Sequence, residues 1–313
     1  MVKYYKSYVD NFGYIHSIDM VKVFYDSVSG TVESILEDFR KIKEKGIIPT
    51  SAYWEKINNA PCSKWNYFLH HIHLDSIYVK IGKYVLKDVG DKQEYDPMPC
   101  ISIEVNPNKH HDTPIFIAVM DIVKQYAYGG ILKQVDYAID VPCQINDVVV
   151  LRTQKERGLY KGTQYFGARG RNGFVKIYNK AVESNLDKPL TRIETTYQLK
   201  EKFSSIDFGV AVRKNIDTEK ELSLSTGLLL DMLQELQVLG SSNIDSYMQR
   251  MNYRTRRQIL EAMNDEIVEY RYNAEYLNKL IDDINVLFGI KDKIQIDDEG
   301  FLVCDEFDLP WEF

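Results

Sequence analysis

Four short segments of this chain alternate apolar residues with residues able to do chemistry. In C-I-S-I-E-V, Ile101, Ile103 and Val105 oppose Ser102 and Glu104. In V-D-Y-A-I-D, Val135, Tyr137 and Ile139 oppose Asp136, Ala138 and Asp140. In F-V-K-I-Y-N-K, Val175 and Ile177 oppose Phe174, Lys176 and Tyr178, and in T-R-I-E-T-T-Y, Ile193 opposes Arg192 and Glu194. Side chains of an extended segment point alternately to two sides, so the four predict a sheet that is buried on one face and functional on the other. The functional face gathers Glu104, Asp136, Asp140 and Glu194 as candidate ligands of a hard cation, Mg²⁺ or Mn²⁺, which prefers oxygen donors. Such an ion polarises a phosphodiester and neutralises charge as it builds. Tyr178, set among Lys176, Lys180 and Arg169, is the candidate nucleophile. A phenol with a pKa near ~10 attacks poorly until a nearby cation or base favours phenolate. Spacing alone does not separate a nucleophile from a packed sheet residue in a chain with 22 tyrosines.

Two further clusters compete for attention. His71 and His73 flank Ile72, and on a strand both imidazoles would face one side as a pair of metal ligands; His70 beside them fits a merely polar strand equally well. Arg250, Arg254, Arg256 and Arg257 fall within eight residues and open a helical pattern with Ile259, Leu260, Met263 and Ile267 as its apolar stripe. These arginines, with Arg171, are candidate DNA contacts, and an ordinary salt-bridged helix is the alternative.

The elements that must hold these residues predict an α+β protein. Ile18 to Phe24 alternates as a strand, and Thr31 to Lys45 carries Ile35, Phe39 and Ile42 at helical spacing before Gly46. Asp88 to Pro99 is polar and rich in breakers, a connection into the next unit. Ile115 to Tyr128 reads as a helix between the first two chemical strands. Beyond Phe208 the pattern becomes helical over Leu228 to Leu239, Asp245 to Met263 and Asp265 to Phe288. The expected division is a sheet-and-helix unit over 1–95, a catalytic antiparallel sheet with flanking helices over 96–205, a helical DNA-binding segment over 206–290 and an acidic tail over 291–313.

The stretch from Cys100 to Gln198 resembles the nicking domain of Rep-trans plasmid replication initiators, a family that includes relaxases of conjugative elements. I-E-V-N-P-N-K (Ile103 to Lys109), V-D-Y-A-I-D (Val135 to Asp140), Y-F-G-A-R-G-R-N-G-F-V-K-I-Y-N-K-A-V-E (Tyr165 to Glu183) and R-I-E (Arg192 to Glu194) follow the family's motifs in order. The resemblance implies that Tyr178 nicks one DNA strand, stays joined to the 5′ phosphate and leaves a 3′ hydroxyl that primes rolling-circle replication. It implies metal ligands at Glu104, Asp136 and Glu194, with Asp140 and Glu183 as further candidates. It also implies a homodimer working with a host helicase and other replication proteins at a single-stranded or hairpin nick site. Arg171 and Asn172 stand where the family often has Ser, and Lys176 replaces an Arg, which keeps the charge and loses the bidentate fork. The rival readings are a conjugative relaxase with the same chemistry and a DNA-binding regulator without catalysis. The His71-Ile72-His73 pattern resembles instead the metal pair of another nickase class, the HUH endonucleases. The end, D-E-F-D-L-P-W-E-F, resembles the acidic tip by which bacterial single-stranded DNA-binding proteins recruit partners; a solubilising acidic end is the alternative.

Composition limits the rest. At 313 residues with 44% hydrophobic content the chain can bury a substantial core. A net charge of -7 argues against coating DNA by bulk electrostatics, yet Arg152 to Lys180 holds eight basic residues against Glu156 alone. Cys62, Cys100, Cys143 and Cys304 form no C-x-x-C pair and are expected as reduced thiols. Neither a membrane-length apolar run nor a signal-peptide core is found, so a cytoplasmic location is expected.

Overall fold

The computed structural model describes residues 3–25, 28–47, 53–56, 66–74, 76–84, 98–151, 156–169, 171–198, 207–212, 248, 250–262, 266–270, 274–290, 294–296 and 302–304. Its strands are β1 (Tyr8–Val9), β2 (Ile15–Tyr25), β3 (Tyr53–Lys56), β4 (Asn66–Leu74), β5 (Ile77–Tyr84), β6 (Met98–Val105), β7 (Ile131–Val141) and β8 (Val148–Val150). They continue as β9 (Glu156–Tyr160), β10 (Thr163–Phe166), β11 (Val175–Asn179), β12 (Thr191–Gln198), β13 (Phe208–Val212), β14 (Glu266–Tyr270), β15 (Ile294–Ile296) and β16 (Leu302–Cys304). The helices are α1 (Val32–Glu44), α2 (Pro107–His110), α3 (Pro114–Tyr126), α4 (Lys180–Glu183), α5 (Tyr253–Ala262) and α6 (Ala274–Phe288).

The fold is α+β. An 11-stranded sheet runs β3-β4-β5-β6-β2-β7-β12-β11-β10-β9, with β1 added against β2, and every pairing in it is antiparallel. Strands from residues 1–95 and 96–205 interleave in it, because β2 sits between β6 and β7. Two smaller sheets, β14-β13-β8 and β15-β16, complete the described strands.

The expected alternation holds on the apolar side. Val21, Val23, Ile101, Ile103, Val105, Val135, Ile139, Val175, Ile177 and Ile193 are all buried in one core. Each such side chain contributes roughly 1.5–3 kcal/mol over an exposed position. Helix α1 is set by Thr31, whose hydroxyl accepts from Ser34 N while the Ser34 side chain caps in return. It lays Ile35, Leu36 and Phe39 into the core against α3 and β5. Helix α3 begins one residue before the expected Ile115 and ends at Tyr126, after Thr113 caps and Pro114 opens its first turn. Helix α6 is fixed to β2 through His16, which is fully buried. The His16 ring stacks on Tyr276 at 4.5 Å and an interplanar angle of 11°. Its nitrogens meet Tyr137 Oη at 2.5 Å and Asp10 Oδ2 at 3.0 Å. Burial holds His16 below its ordinary pKa, against the pull of Asp10.

The C-terminal part departs from an all-helical expectation. Glu266–Tyr270 is a strand paired with β13, and the helix starts only at Ala274. Ile267, Val268 and Tyr270 are β-branched or aromatic, residues that favour strands, and pairing along β13 overrides the helical pattern. The helix expected from Asp245 to Met263 is interrupted: Met248 and Arg250 are helical, the turn breaks at Met251 and Asn252, and a new helix starts at Tyr253, where the Asn252 side chain accepts from Thr255 N at 2.9 Å and caps its first turn. Within the expected acidic tail, Ile294–Ile296 pairs with Leu302–Cys304. Leu228 to Leu239 and the tip from Asp305 onward lie outside the described residues. The expected connection Asp88 to Pro99 ends in strand, since β6 begins at Met98. Among the described residues no helix is long and apolar enough to cross a membrane.

Candidate active site

The register across β7, β12 and β11 lines up two lateral rows. Ala138 faces Glu194, which faces Lys176; Asp140 faces Arg192, which faces Tyr178. Opposed residues of an antiparallel pair share a face, so Tyr178, Lys176, Glu194, Arg192, Asp140 and Asp136 converge. The functional face is nonetheless covered here: Asp140 is 0% exposed, Arg192 1% and Glu194 3%.

Buried charges persist when paired and hydrogen-bonded. Arg192 donates through Nε and Nη2 to the two Asp140 oxygens at 2.6 and 2.7 Å, and through Nη1 to Asp19 Oδ1 at 2.5 Å. Tyr4 Oη adds a donor to Asp140 Oδ2 at 2.5 Å. Asp140, expected as a metal ligand, therefore has both oxygens committed to holding Arg192. The Lys176 ammonium pairs with Glu194 and lies 3.6 Å from Asp136 Oδ2, whose other oxygen accepts from Gln134 at 3.0 Å.

The nucleophile candidate sits beside this network. Tyr178 Oη donates to Glu194 Oε2 at 3.3 Å, and the Lys180 ammonium stands 5.9 Å from its ring centroid. Burial, then the Glu194 charge, pushes the Tyr178 hydroxyl above its ordinary pKa, with Arg192 pulling the other way. The expected cation-stabilised phenolate is thus not the resting form; the proton stays until a base takes it. Glu194 is placed to be that base. Burial, followed by the charges of Asp19 and Asp136, pushes its carboxyl up to about 7, while Lys176 draws it down. Burial acts against the Lys176 ammonium, but Glu194 and Asp136 hold it above its usual value.

Local sequence explains how these groups are aimed. Tyr178 is the last inward residue of β11. Asn179 then caps α4 by accepting from Val182 N at 3.0 Å, and Lys180 pairs with Glu183 at 2.6 Å. I-Y-N-K-A-V-E is therefore a strand end, a cap and one helical turn. N-P-N-K is a clip. Asn106 caps α2 and donates to Asp19 Oδ1 at 3.2 Å, and Asn108 donates to Ile18 O at 2.8 Å while accepting from Tyr5 N at 2.9 Å. Asp19 falls in a register shift between Ile18 and Met20, where an extra residue re-aims a side chain.

Other expected residues fall elsewhere. Glu104 is separated from Asp136 by β2 and lines a cavity with His71 and His73. Arg169 and Arg171 are exposed in the β10–β11 loop, at the end of β11 away from Tyr178, because Phe166 pairs with Val175. Arg169 is thereby removed from the field around Tyr178. Arg256 is 2% exposed and donates to Gln164 Oε1 at 3.3 Å, so it packs inward as its neighbours on the apolar stripe do. Arg250, Arg254 and Arg257 are exposed, the last paired with Glu261 at 2.8 Å.

No family model and no curated protein matches the chain. Among solved structures it is similar to a rolling circle replication initiator protein from Geobacillus stearothermophilus, at 15% identity over 59% of this chain and 75% of that chain, with a TM-score of 0.31.

The side chains as arranged do not form the expected Mg²⁺ or Mn²⁺ site. Among the described residues no three His, Cys, Asp or Glu groups stand together as ligands, and Lys176 occupies the gap between Asp136 and Glu194. The cation that this arrangement itself supplies is the Lys176 ammonium. Asp19 and Tyr4, which complete this network, were not singled out from sequence, and Arg192 was placed on the functional face without a role of its own. Arg192 shares the Glu194 face by simple alternation and was findable; Asp19 and Tyr4 depend on a bulge and a long-range contact.

Proposed function

We propose that this chain nicks and rejoins one DNA strand by transesterification at an origin, initiating rolling-circle replication of a plasmid or other mobile element. The observation that carries the reading is the hydrogen bond from the Tyr178 hydroxyl to Glu194, a carboxylate whose pKa of about 7 suits a base near neutral pH. In this reading the Tyr178 oxygen attacks the scissile phosphorus as Glu194 takes its proton. The tyrosine–phosphorus bond forms, the bond to the 3′ oxygen breaks, and that oxygen leaves with its electron pair and receives the proton from Glu194. In this reading the Lys176 and Lys180 ammonium groups oppose the negative charge growing on the phosphoryl oxygens. Arg192, donating through Nε, Nη1 and Nη2 to Asp140 and Asp19, acts as a positioning residue in this reading. The phosphotyrosine keeps the bond energy, so a later hydroxyl reseals the strand without a nucleotide cofactor.

The motif order from Ile103 to Glu194 supports origin DNA as substrate, and by the same resemblance a homodimer acting with host replication proteins. Supercoiled plasmids carrying candidate replication or transfer origins, incubated with the protein in the presence and absence of Mn²⁺, test the reading and separate an initiator from a conjugative relaxase. Tyr178→Phe is expected to abolish nicking and leave specific binding largely intact. Unchanged nicking by Tyr178→Phe, or no nicking of any origin by the wild type, would contradict it and favour a regulator without catalysis.

A further inference from the structure

The same sheet face carries a second constellation far from Tyr178. His71 opposes Lys80, His73 opposes Tyr78, and Tyr78 in turn opposes Glu104. Glu104 opposes Lys22, Lys22 opposes Gln134, and Gln134 shares β7 with Asp136 two residues on. Opposed residues share a face, so this chain of pairs puts the five groups on the side that bears the candidate active site. From β11 to β6 is four strand spacings, roughly 19 Å across the sheet. The five line a cavity of about 200 Å³, and each is partly exposed. His73 and Tyr78 meet edge to face, centroids 5.0 Å apart at 84°.

We propose that this cavity is a nucleobase subsite for the single strand that Tyr178 cuts, selective for bases bearing an exocyclic amine. The inference rests on the proposed nicking reading for which strand is bound. Aromatic and imidazole faces stack on any base, whereas the Glu104 carboxylate only accepts hydrogen bonds. Cytosine offers it an N4 amine; thymine presents a carbonyl at that position and is repelled. Lys80 adds a cation for the adjoining phosphate. A metal site built from His71, His73 and Glu104 is the competing occupant, and among the described residues no three such groups are arranged as ligands.

Fluorescence anisotropy of the full chain with labelled dC15 and dT15 tests the subsite. Wild type is expected to bind dC15 about tenfold more tightly than dT15, and Glu104→Gln to erase that difference. A Tyr78→Leu/His73→Ala variant is expected to lose about tenfold for both strands. Equal binding of the two strands by wild type overturns the proposal, and so does a preference that survives Glu104→Gln. Stoichiometric Mn²⁺ binding lost on His73→Ala also overturns it, in favour of a metal site. Circular dichroism melting keeps a misfolded variant from counting as a loss. Tyr178→Phe is expected to retain the preference, so the failure of wild type to form a covalent adduct would sink the nicking reading without touching the subsite.

Discussion

At the scale of residues, three carboxylates compete for few cations around one phenol. Asp19 and Asp136 raise Glu194, and Lys176 lowers it. Glu194 must be ionised to accept the Tyr178 proton, so single-turnover nicking is expected to rise with pH through about 7. Asp19→Asn removes a raising charge and should move that midpoint down; Lys176→Met removes the lowering charge and should move it up. Shifts in the same direction would show that Glu194 is not the titrating base. Asp140 tests the scaffold separately. Asp140→Asn weakens the hold on a buried guanidinium, and urea denaturation is expected to show a loss of about 3–5 kcal/mol. Alternation in the sequence put Tyr178, Lys176, Asp136 and Glu194 on one sheet face, as the strand register does, because period-two patterning is local. It could not show how far Glu104 lies from the others on that face, because the strand order that places β2 between β6 and β7 is not a local property.

At the scale of elements, the four chemical segments were legible as strands, since each carries its Ile and Val residues on one side only. The β14 strand was not, because Glu266–Tyr270 does not alternate and takes its extended form from pairing with β13. That pairing is tight at Gly209, where an added Cβ would lie 2.4 Å from Ile267 Cγ2. Gly209→Ala is expected to destabilise the protein by about 1–3 kcal/mol through overpacking, read as a lower denaturation midpoint. An unchanged midpoint would mean that β13 and β14 do not pair this closely.

At the scale of the whole molecule, the proposed function requires an acidic chain to grip a polyanion locally. Exposed Arg254 and buried Arg256 lie two residues apart and should behave differently. Arg254→Ala is expected to lower the salt slope of DNA binding by about 1 with unchanged melting. Arg256→Ala should lower the melting temperature instead, since its guanidinium braces Gln164 inside the fold. The sequence showed the arginine cluster but not which members face water, a property fixed by packing. The central claim remains chemical, and one measurement reaches it most directly. Protein trapped on a nicked oligonucleotide, digested and read by mass spectrometry, should carry the nucleotide on the peptide containing Tyr178. A nucleotide on any other tyrosine, or on none, would contradict the account.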